Sequence, residues 1–290
     1  EQVSVRPRGS LHATPSAREG WSLLVEAAST NLRNPAIDIV LLFVPASLCA
    51  LQLATETAAP QPAPVPATEV NVMGTLNCLE AARSAGIKRF VFASSAAAVG
   101  KSEMPVHERR PANPLSPYGA SKLAGEGYCS AYFHAYDIDT VALRFGNVYG
   151  PGSGHKTSVV AKFIRQAAAG ETLEIYGDGS QTRDFIYVDD CVSVMLWLLD
   201  HPEVSGLFNV GTGRARTFLD LVGSLFSALD MEPSVRWIDT PPEIRDRYQY
   251  FTQAEMGRLR AVGYDAEFRS VEEGVGEYVS GFRAHCDPYR

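Results

Sequence analysis

Tyr118 and Lys122 stand four residues apart in the segment YGASK (118–122). On a helix that spacing puts both side chains on one face, one turn apart. A tyrosine with an ordinary pKa of about 10 is a poor base at neutral pH. An ammonium group beside it stabilises the phenolate and lowers that pKa, so the pair can take a proton from an alcohol and give it back. Two serines, Ser94 and Ser95, end an apolar run upstream. A hydroxyl there can hold a substrate oxygen while the proton moves. Taken alone, tyrosine and lysine at this spacing also describe an ordinary solvated helix face. Their meaning depends on the elements that carry them.

Ser116-Pro117 reads as an N-cap followed by proline at the first helical position, opening a helix that runs to about Tyr136. The run KRFVFAS (88–94) is nearly continuous in apolar residues, as a strand buried on both faces of a parallel sheet would be. Residues 140–146 and 207–211 read as further buried strands. Residues 69–84, 188–199 and 217–229 have helical spacing. The first of these helices places Val72, Leu76, Leu79 and Ala82 on one stripe and stops at Gly86, and the last carries apolar residues at 218, 222, 225 and 229. Strands alternating with helices predict an α/β fold with a doubly wound parallel sheet, and such sheets bind ligands at the carboxyl ends of their strands, where Ser94 and Ser95 fall. Gly- and Pro-rich inserts at 151–154 and 177–180 suggest a smaller part that covers the substrate. The stretch 36–54 is the most hydrophobic of the chain, but Asp38, Pro45 and Gln52 interrupt it, which predicts a buried strand over 37–43 and a turn at Pro45 rather than a membrane span. AAPQPAPVPA (58–67) is expected to be an extended, polyproline-like loop.

The chain has 290 residues, 46% hydrophobic and 20% charged, which suits one large or two modest globular domains and argues against disorder. Its formal net charge of −7 argues against a nucleic-acid partner. The five cysteines, at 49, 78, 129, 191 and 286, form no CxxC pair and read as reduced thiols of a cytoplasmic protein. Residues 1–20 contain arginines but no apolar core, so no secretory signal is expected there. Asp189 and Asp190 read as the N-cap and first-turn acids of a helix, and no metal site is expected.

The chain carries FASSAAAVG (92–100), YGASK, LRFGNVYGPG (143–152), GDGSQTRDFIYVDD (177–190) and FNVGTG (208–213), in that order. From about residue 69 to the C-terminus this resembles the extended short-chain dehydrogenase/reductase family, in particular its NAD-dependent nucleotide-sugar epimerases and dehydratases. The resemblance implies a Rossmann-type domain for NAD or NADP, over 1–150 plus 184–210, and a smaller C-terminal nucleotide-sugar domain, over 151–183 plus 211–290. It also implies that Tyr118 is the acid/base, Lys122 the lysine that binds ribose and lowers the tyrosine pKa, and Ser95 the hydroxyl that orients substrate. Asn71, Ser94 and Val148 match cofactor-binding positions. A homo-oligomer is expected on the same grounds.

Dehydratases of this family usually carry an Asp-Glu pair just after the catalytic hydroxyl. Here that position reads Ala96-Ala97-Ala98, which favours epimerisation. PGSGHKTS (151–158), the segment 205–218 and RYQYFTQAEMGRLRAVGYDAEF (247–268) resemble the ADP-glycero-manno-heptose 6-epimerases of the family. That resemblance implies Lys156 as a second acid/base. Asn147, Lys156, Ser158, Arg183 and Tyr248 match substrate-contacting positions, and Ile175, Tyr176, Gly177 and Asp178 match the loop bordering the nucleotide. Arg183 suits a diphosphate because a guanidinium binds phosphate oxygens in a planar fork, although a structural pair with Asp184 or Asp189 is an alternative. Two proton-transfer groups make sense at an exocyclic carbon, where the carbonyl rotates and its oxygen points to a different place in each half-reaction. The middle of the chain resembles UDP-glucose 4-epimerases equally well, and Arg165 stands where the heptose pattern has a histidine.

The family begins with a strand, a GxxGxxG turn and a helix that bind the pyrophosphate. Residues 1–70 contain no such turn, and only two of the 24 glycines, Gly9 and Gly20, precede Gly74. Three explanations stand: a truncated sequence, an altered N-terminal segment, or lost cofactor binding. The last would make the chain a non-catalytic sugar-nucleotide-binding protein.

Overall fold

The computed structural model of the chain describes residues 39–42, 64–100, 102–151, 158–245, 248 and 250–285. The elements follow in the order β1 (Ile39–Leu42), α1 (Pro64–Thr68), a π-helical turn (Glu69–Met73), α2 (Gly74–Ser84), β2 (Arg89–Ser95), a 3-10 turn (Ala96–Ala98), α3 (Pro117–Tyr136), β3 (Asp139–Phe145), β4 (Asn147–Tyr149) and α4 (Val159–Ala168). There follow β5 (Leu173–Tyr176), β6 (Thr182–Arg183), β7 (Phe185–Tyr187), α5 (Val188–Asp200), β8 (Gly206–Val210), β9 (Arg216–Thr217), α6 (Phe218–Leu229), β10 (Val235–Ile238), α7 (Pro242–Arg245), α8 (Gly257–Ala261) and α9 (Val271–His285).

Four strands form a parallel sheet in the order β1-β2-β3-β8. Side chains alternate across a strand, so the apolar run of β2 feeds both faces. Phe90 and Phe92 pack with Leu79 and Ala82 of α2 and with Cys129 and Tyr132 of α3. Val91 faces the other way, into a cluster with Val141 and Leu143 of β3, Phe208 of β8 and the buried side of α5. Helices therefore cover both faces, the doubly wound α/β arrangement expected from the strand composition. A third apolar cluster gathers α4, α6 and α9 around β5, with Phe163, Ile164, Leu173, Ile175, Phe226 and Val275 among its members. The α6 helix enters this cluster through a capping box, in which Thr217 and Asp220 each receive the other's backbone N–H.

Three local expectations change. Residues 64–68 of the proline-rich stretch are helical, because Pro64 and Pro66 lie in a first turn, where no intrahelical partner is lost. The helix expected over 69–84 opens with a π-turn, closed by the Gly74 N–H on the Glu69 carbonyl. The extra residue rotates the inward face, so Asn71, Thr75, Leu79 and Ala82 are buried while Val72 and Leu76 are only half-buried. Tyr187, not Asp189, is the residue that precedes α5, and its side chain makes no cap. Both aspartates sit in the first turn, where they complement the helix dipole, and Asp190 pairs with Arg269 at 2.5 Å.

Among the described residues, no group of three or more His, Cys, Asp or Glu is placed to hold a metal ion, and no helix is long and apolar enough to cross a membrane. Strand β1 falls within the predicted strand 37–43, while the turn at Pro45 lies outside the described residues. Cys129 and Cys191 are buried thiols and Cys78 is half-buried. Burial pushes the Cys129 thiol up to about 12, as expected for an inert core sulfur.

A buried ion pair lies inside the fold. Arg144 of β3 meets Glu126 of α3 through two hydrogen bonds, from Nε at 2.8 Å and from Nη2 at 2.7 Å, with both side chains buried. Removing one partner strands the other charge in the interior. Arg144→Met should therefore lower stability by about 3–5 kcal/mol, read from the midpoint of urea unfolding, and adding Glu126→Gln should restore much of the loss. A midpoint for Arg144→Met equal to that of the unaltered chain would contradict this account.

Candidate active site

Tyr118 lies in the first turn of α3. Ser116 caps the helix, its Oγ accepting the Gly119 N–H at 3.0 Å, and Pro117 follows the cap as predicted. Tyr118 and Lys122 are both only 3% exposed, although a solvated helix face would leave them in water. The Lys122 ammonium donates to the Ala93 carbonyl at 2.9 Å and lies 5.8 Å from the centre of the Tyr118 ring. Ala93 immediately precedes Ser94 and Ser95 at the end of β2, so the tyrosine-lysine face is bound to the carboxyl edge of the sheet. Ser95 is buried, and its Oγ accepts the Ala97 N–H at 3.2 Å, which starts the 3-10 turn.

This placement depends on close approach. A Cβ at Gly119 would stand 2.3 Å from the Ala97 carbonyl oxygen, and one at Gly125 would stand 2.4 Å from the Phe92 ring. The glycines of YGASKLAGE let the helix lie directly on the strand end.

The neighbouring residues divide by what their side chains reach. Asn71 is 1% exposed; its Nδ2 donates to Ser121 at 2.9 Å, and its Oδ1 has no hydrogen-bond partner. Ser94, matched to a cofactor position, gives its hydroxyl hydrogen to Glu126 at 2.5 Å, so its side chain serves the ion pair below the strand. Val148, half-buried in β4, packs on the cluster around α5. Asn147 follows β3 by two residues and donates to Thr252 at 3.3 Å.

A second group forms around Arg183, which is 1% exposed. Its guanidinium carbon lies 5.2 Å from the Tyr248 ring centre and 5.7 Å from that of Phe218. Tyr248 in turn meets Tyr176 edge-on at 6.0 Å. The fold thus brings Tyr176, Arg183 and Tyr248 together from distant parts of the sequence. Gly177 and Gly179 have φ of +65° and +78°, which lets the loop between β5 and β6 turn sharply. Asp178 is exposed, and its Oδ1 accepts from the Ser180 N–H and hydroxyl. Ile175 is buried in the third cluster, in the ladder that β5 forms with β10. Ser158 is buried just before α4. Lys156 lies outside the described residues.

Two groups escape the sequence reading. Asp184 enters it only as a partner for Arg183. Its Oδ1 accepts from the Thr212 N–H and hydroxyl at 2.7 and 2.6 Å, and its Oδ2 from the N–H of Gly213 and Ala254 at 3.1 and 3.0 Å. Glu126 does not enter it at all, though it continues the spacing of Tyr118 and Lys122 by one more turn.

A buried tyrosine-lysine pair thus stands at the edge of a doubly wound sheet, and a separate arginine-aromatic group forms around Arg183. Residues 51–211 match the family model for the NAD dependent epimerase/dehydratase family. The chain belongs to that family. Among curated relatives, it is 42% identical over 215 residues to the ADP-L-glycero-D-manno-heptose-6-epimerase of Nitratidesulfovibrio vulgaris strain Hildenborough, covering 69% of this chain and 66% of that protein. The protein of the same name from Alkalilimnicola ehrlichii is 43% identical over 203 residues, covering 66% of this chain and 62% of the relative. The chain therefore spans about two thirds or less of the length of these relatives. Among solved structures, the UDP-N-acetylglucosamine 4-epimerase of Methanobrevibacter ruminantium M1, in complex with UDP-N-acetylmuramic acid, matches with a TM-score of 0.75 at 28% identity, covering 85% of this chain and 77% of that one. The UDP-glucose 4-epimerase of Thermus thermophilus, in complex with NAD, matches with a TM-score of 0.72 at 28% identity, covering 93% and 84%.

Gly119→Ala should force the start of α3 away from Ala97 and cost about 1–3 kcal/mol in urea unfolding, as overpacking against backbone does. A variant as stable as the unaltered chain would mean that the helix does not need this approach.

Proposed function

We propose that the chain is an NAD(P)-dependent nucleotide-sugar epimerase and that its substrate is an ADP-glycero-manno-heptose, epimerised at C-6. The observation that carries this is the burial of Tyr118 and Lys122 on one helix face, with the lysine anchored beside Ser95 at the sheet edge. The heptose assignment draws support from the two relatives of that name. The cofactor has support in the Asn71 Oδ1, a buried acceptor without a partner, which suits a donor brought in by a ligand. In this reading Asn71, Lys122, Tyr118 and Val148 hold the nicotinamide end of the cofactor. Residues 1–150 with 184–210 form the cofactor part, and residues 151–183 with 211–290 form the sugar-nucleotide part. A homo-oligomer in the cytoplasm belongs to the same reading.

NAD(P), held by these residues, would supply reversible hydride transfer at the sugar carbinol, with return to its opposite face. Tyr118 takes the carbinol proton and later gives one back, with the Lys122 charge favouring the tyrosinate. Ser95 holds the sugar oxygen during that exchange. Arg183, caged by Tyr248 and Phe218, binds the diphosphate, and Tyr176 and Tyr248 border the nucleotide. Lys156 serves the second orientation of the carbonyl, because rotation about an exocyclic bond moves the oxygen away from Tyr118.

Two other readings each have an observation behind them. The solved neighbours named above are UDP-sugar 4-epimerases. Residues 1–70 lack the glycine turn that binds pyrophosphate, which supports a non-catalytic nucleotide-sugar-binding protein. NMR of purified protein with either ADP-glycero-manno-heptose or UDP-galactose separates the three. Conversion of the ADP-heptose to its C-6 epimer is expected. Turnover of UDP-galactose alone would replace the heptose reading with the 4-epimerase, and no NAD(P) binding at about millimolar cofactor, far weaker than ordinary cofactor affinity, would leave the binding protein. In an active preparation Tyr118→Phe should reduce turnover about 100-fold or more, and full retention would remove Tyr118 from its role.

A further inference from the structure

The hydrogen bonds around Ser121 fix which way the Asn71 carboxamide points. Ser121 lies one turn beyond Tyr118, and its hydroxyl donates to the Tyr118 carbonyl at 2.7 Å. A serine hydroxyl carries a single hydrogen, so once that hydrogen is used the oxygen can only accept. Asn71 approaches the same oxygen at 2.9 Å. It must therefore present its Nδ2, a donor, and the amide is held with Oδ1 turned away from Ser121. The Asn71 backbone is pinned as well, since Thr75 donates through Oγ1 to the Asn71 carbonyl at 2.6 Å within the π-turn region. That turn is what brings Asn71 to the inward face of its helix.

Both ends of this chain of hydrogen bonds matter. One end is the backbone of Tyr118, the candidate acid/base. The other is an amide oxygen, inside a residue 1% exposed, that has no hydrogen-bond partner. An unpaired buried acceptor costs about 1–3 kcal/mol, so this oxygen is one that a donor from a ligand or a water would satisfy. Were the amide free to flip, Nδ2 would face that ligand and repel the donor it should accept.

We propose that Ser121 is a positioning residue: it locks the Asn71 amide so that Oδ1 is presented as an acceptor to an O–H or N–H donor of the bound cofactor, and it couples that acceptor to the backbone of Tyr118. The proposal rests on the cofactor reading given above. A plain strut between two helices would need the Asn71–Ser121 bond but would give the amide oxygen no ligand to accept from.

The test uses the full chain and four forms: unaltered, Ser121→Ala, Asn71→Ala and the double variant. In ¹⁵N-labelled protein, the Asn71 side-chain amide, assigned by its disappearance in Asn71→Ala, should exchange slowly with solvent, and Ser121→Ala should speed that exchange about tenfold or more, the effect of losing about 1.4 kcal/mol of hydrogen bond. In NADH titrations Ser121→Ala should weaken binding about five- to tenfold, Asn71→Ala should do the same, and the double variant should be no worse than Asn71→Ala alone. An Asn71 amide signal unmoved by Ser121→Ala overturns the proposal. So do losses in affinity that add in the double variant. If the unaltered chain binds no NADH, the cofactor reading fails by that result, while the amide signal still decides the orientation by itself.

Discussion

The buried Glu126 carboxylate keeps α3 from sliding along the end of β2. It accepts from Ser94 on β2 and from Arg144 on β3, two residues placed side by side by the parallel register of the strands. One turn earlier on the same helix face, Lys122 holds the carbonyl of Ala93. Two successive turns of α3 thus bind two adjacent residues of β2. A charge at each of two turns sets the register more firmly than apolar packing would, because a slipped helix would leave a carboxylate or an ammonium buried without a partner. Glycine at 119 and 125 removes the bulk that would otherwise keep the helix away from the strand.

A similar device fixes the region around Arg183. The Asp184 carboxylate gathers four donors from the loop after β8 and from Ala254, and its backbone carbonyl receives the N–H of Asn147 at 3.1 Å. A Cβ on Gly211 would stand 2.6 Å from Asp184 Oδ2, so the glycine of VGTG is set by this approach. Arg183 is the residue immediately before Asp184, and its aromatic neighbours are Phe218 and Tyr248. Elsewhere, Arg89 closes the end of α5, donating to the carbonyls of Leu198, His201, Pro202 and Val204. Burial lowers the Arg89 pKa, a cost offset by four acceptors that would otherwise lack donors.

Sequence patterns show what repeats locally. The strands of the main sheet were legible because a strand covered on both faces must be apolar throughout, and α3 because Ser116 and Pro117 mark a helix start by their own chemistry. Tyr118, Lys122 and Arg183 were legible as residue types with a purpose. The π-turn at 69–73 was not, because a shift to i+5 hydrogen bonding leaves no trace in composition. It decided that Asn71, rather than Val72, faces inward. Nor was the use of Ser94 apparent, since the choice between a ligand and Glu126 depends on a helix that follows it by more than twenty residues. The joining of Tyr176, Arg183 and Tyr248 rests on contacts far apart in the chain, which no window along the sequence contains.

The two devices meet at the end of β3. Phe145 pairs with Ser95 on one side and Val210 on the other, the Gly146 N–H donates to the Val210 carbonyl, and Asn147 is held by Asp184 and Thr252. Three consecutive residues therefore join the edge that carries Tyr118 and Lys122 to the network that carries Arg183. Epimerisation through a carbonyl requires the reacting group to turn while its two ends stay put: the diphosphate on one side, the hydride path on the other. In the proposed function, this hydrogen-bonded crossing would hold the Tyr118 edge and the Arg183 network at a fixed separation while the sugar turns.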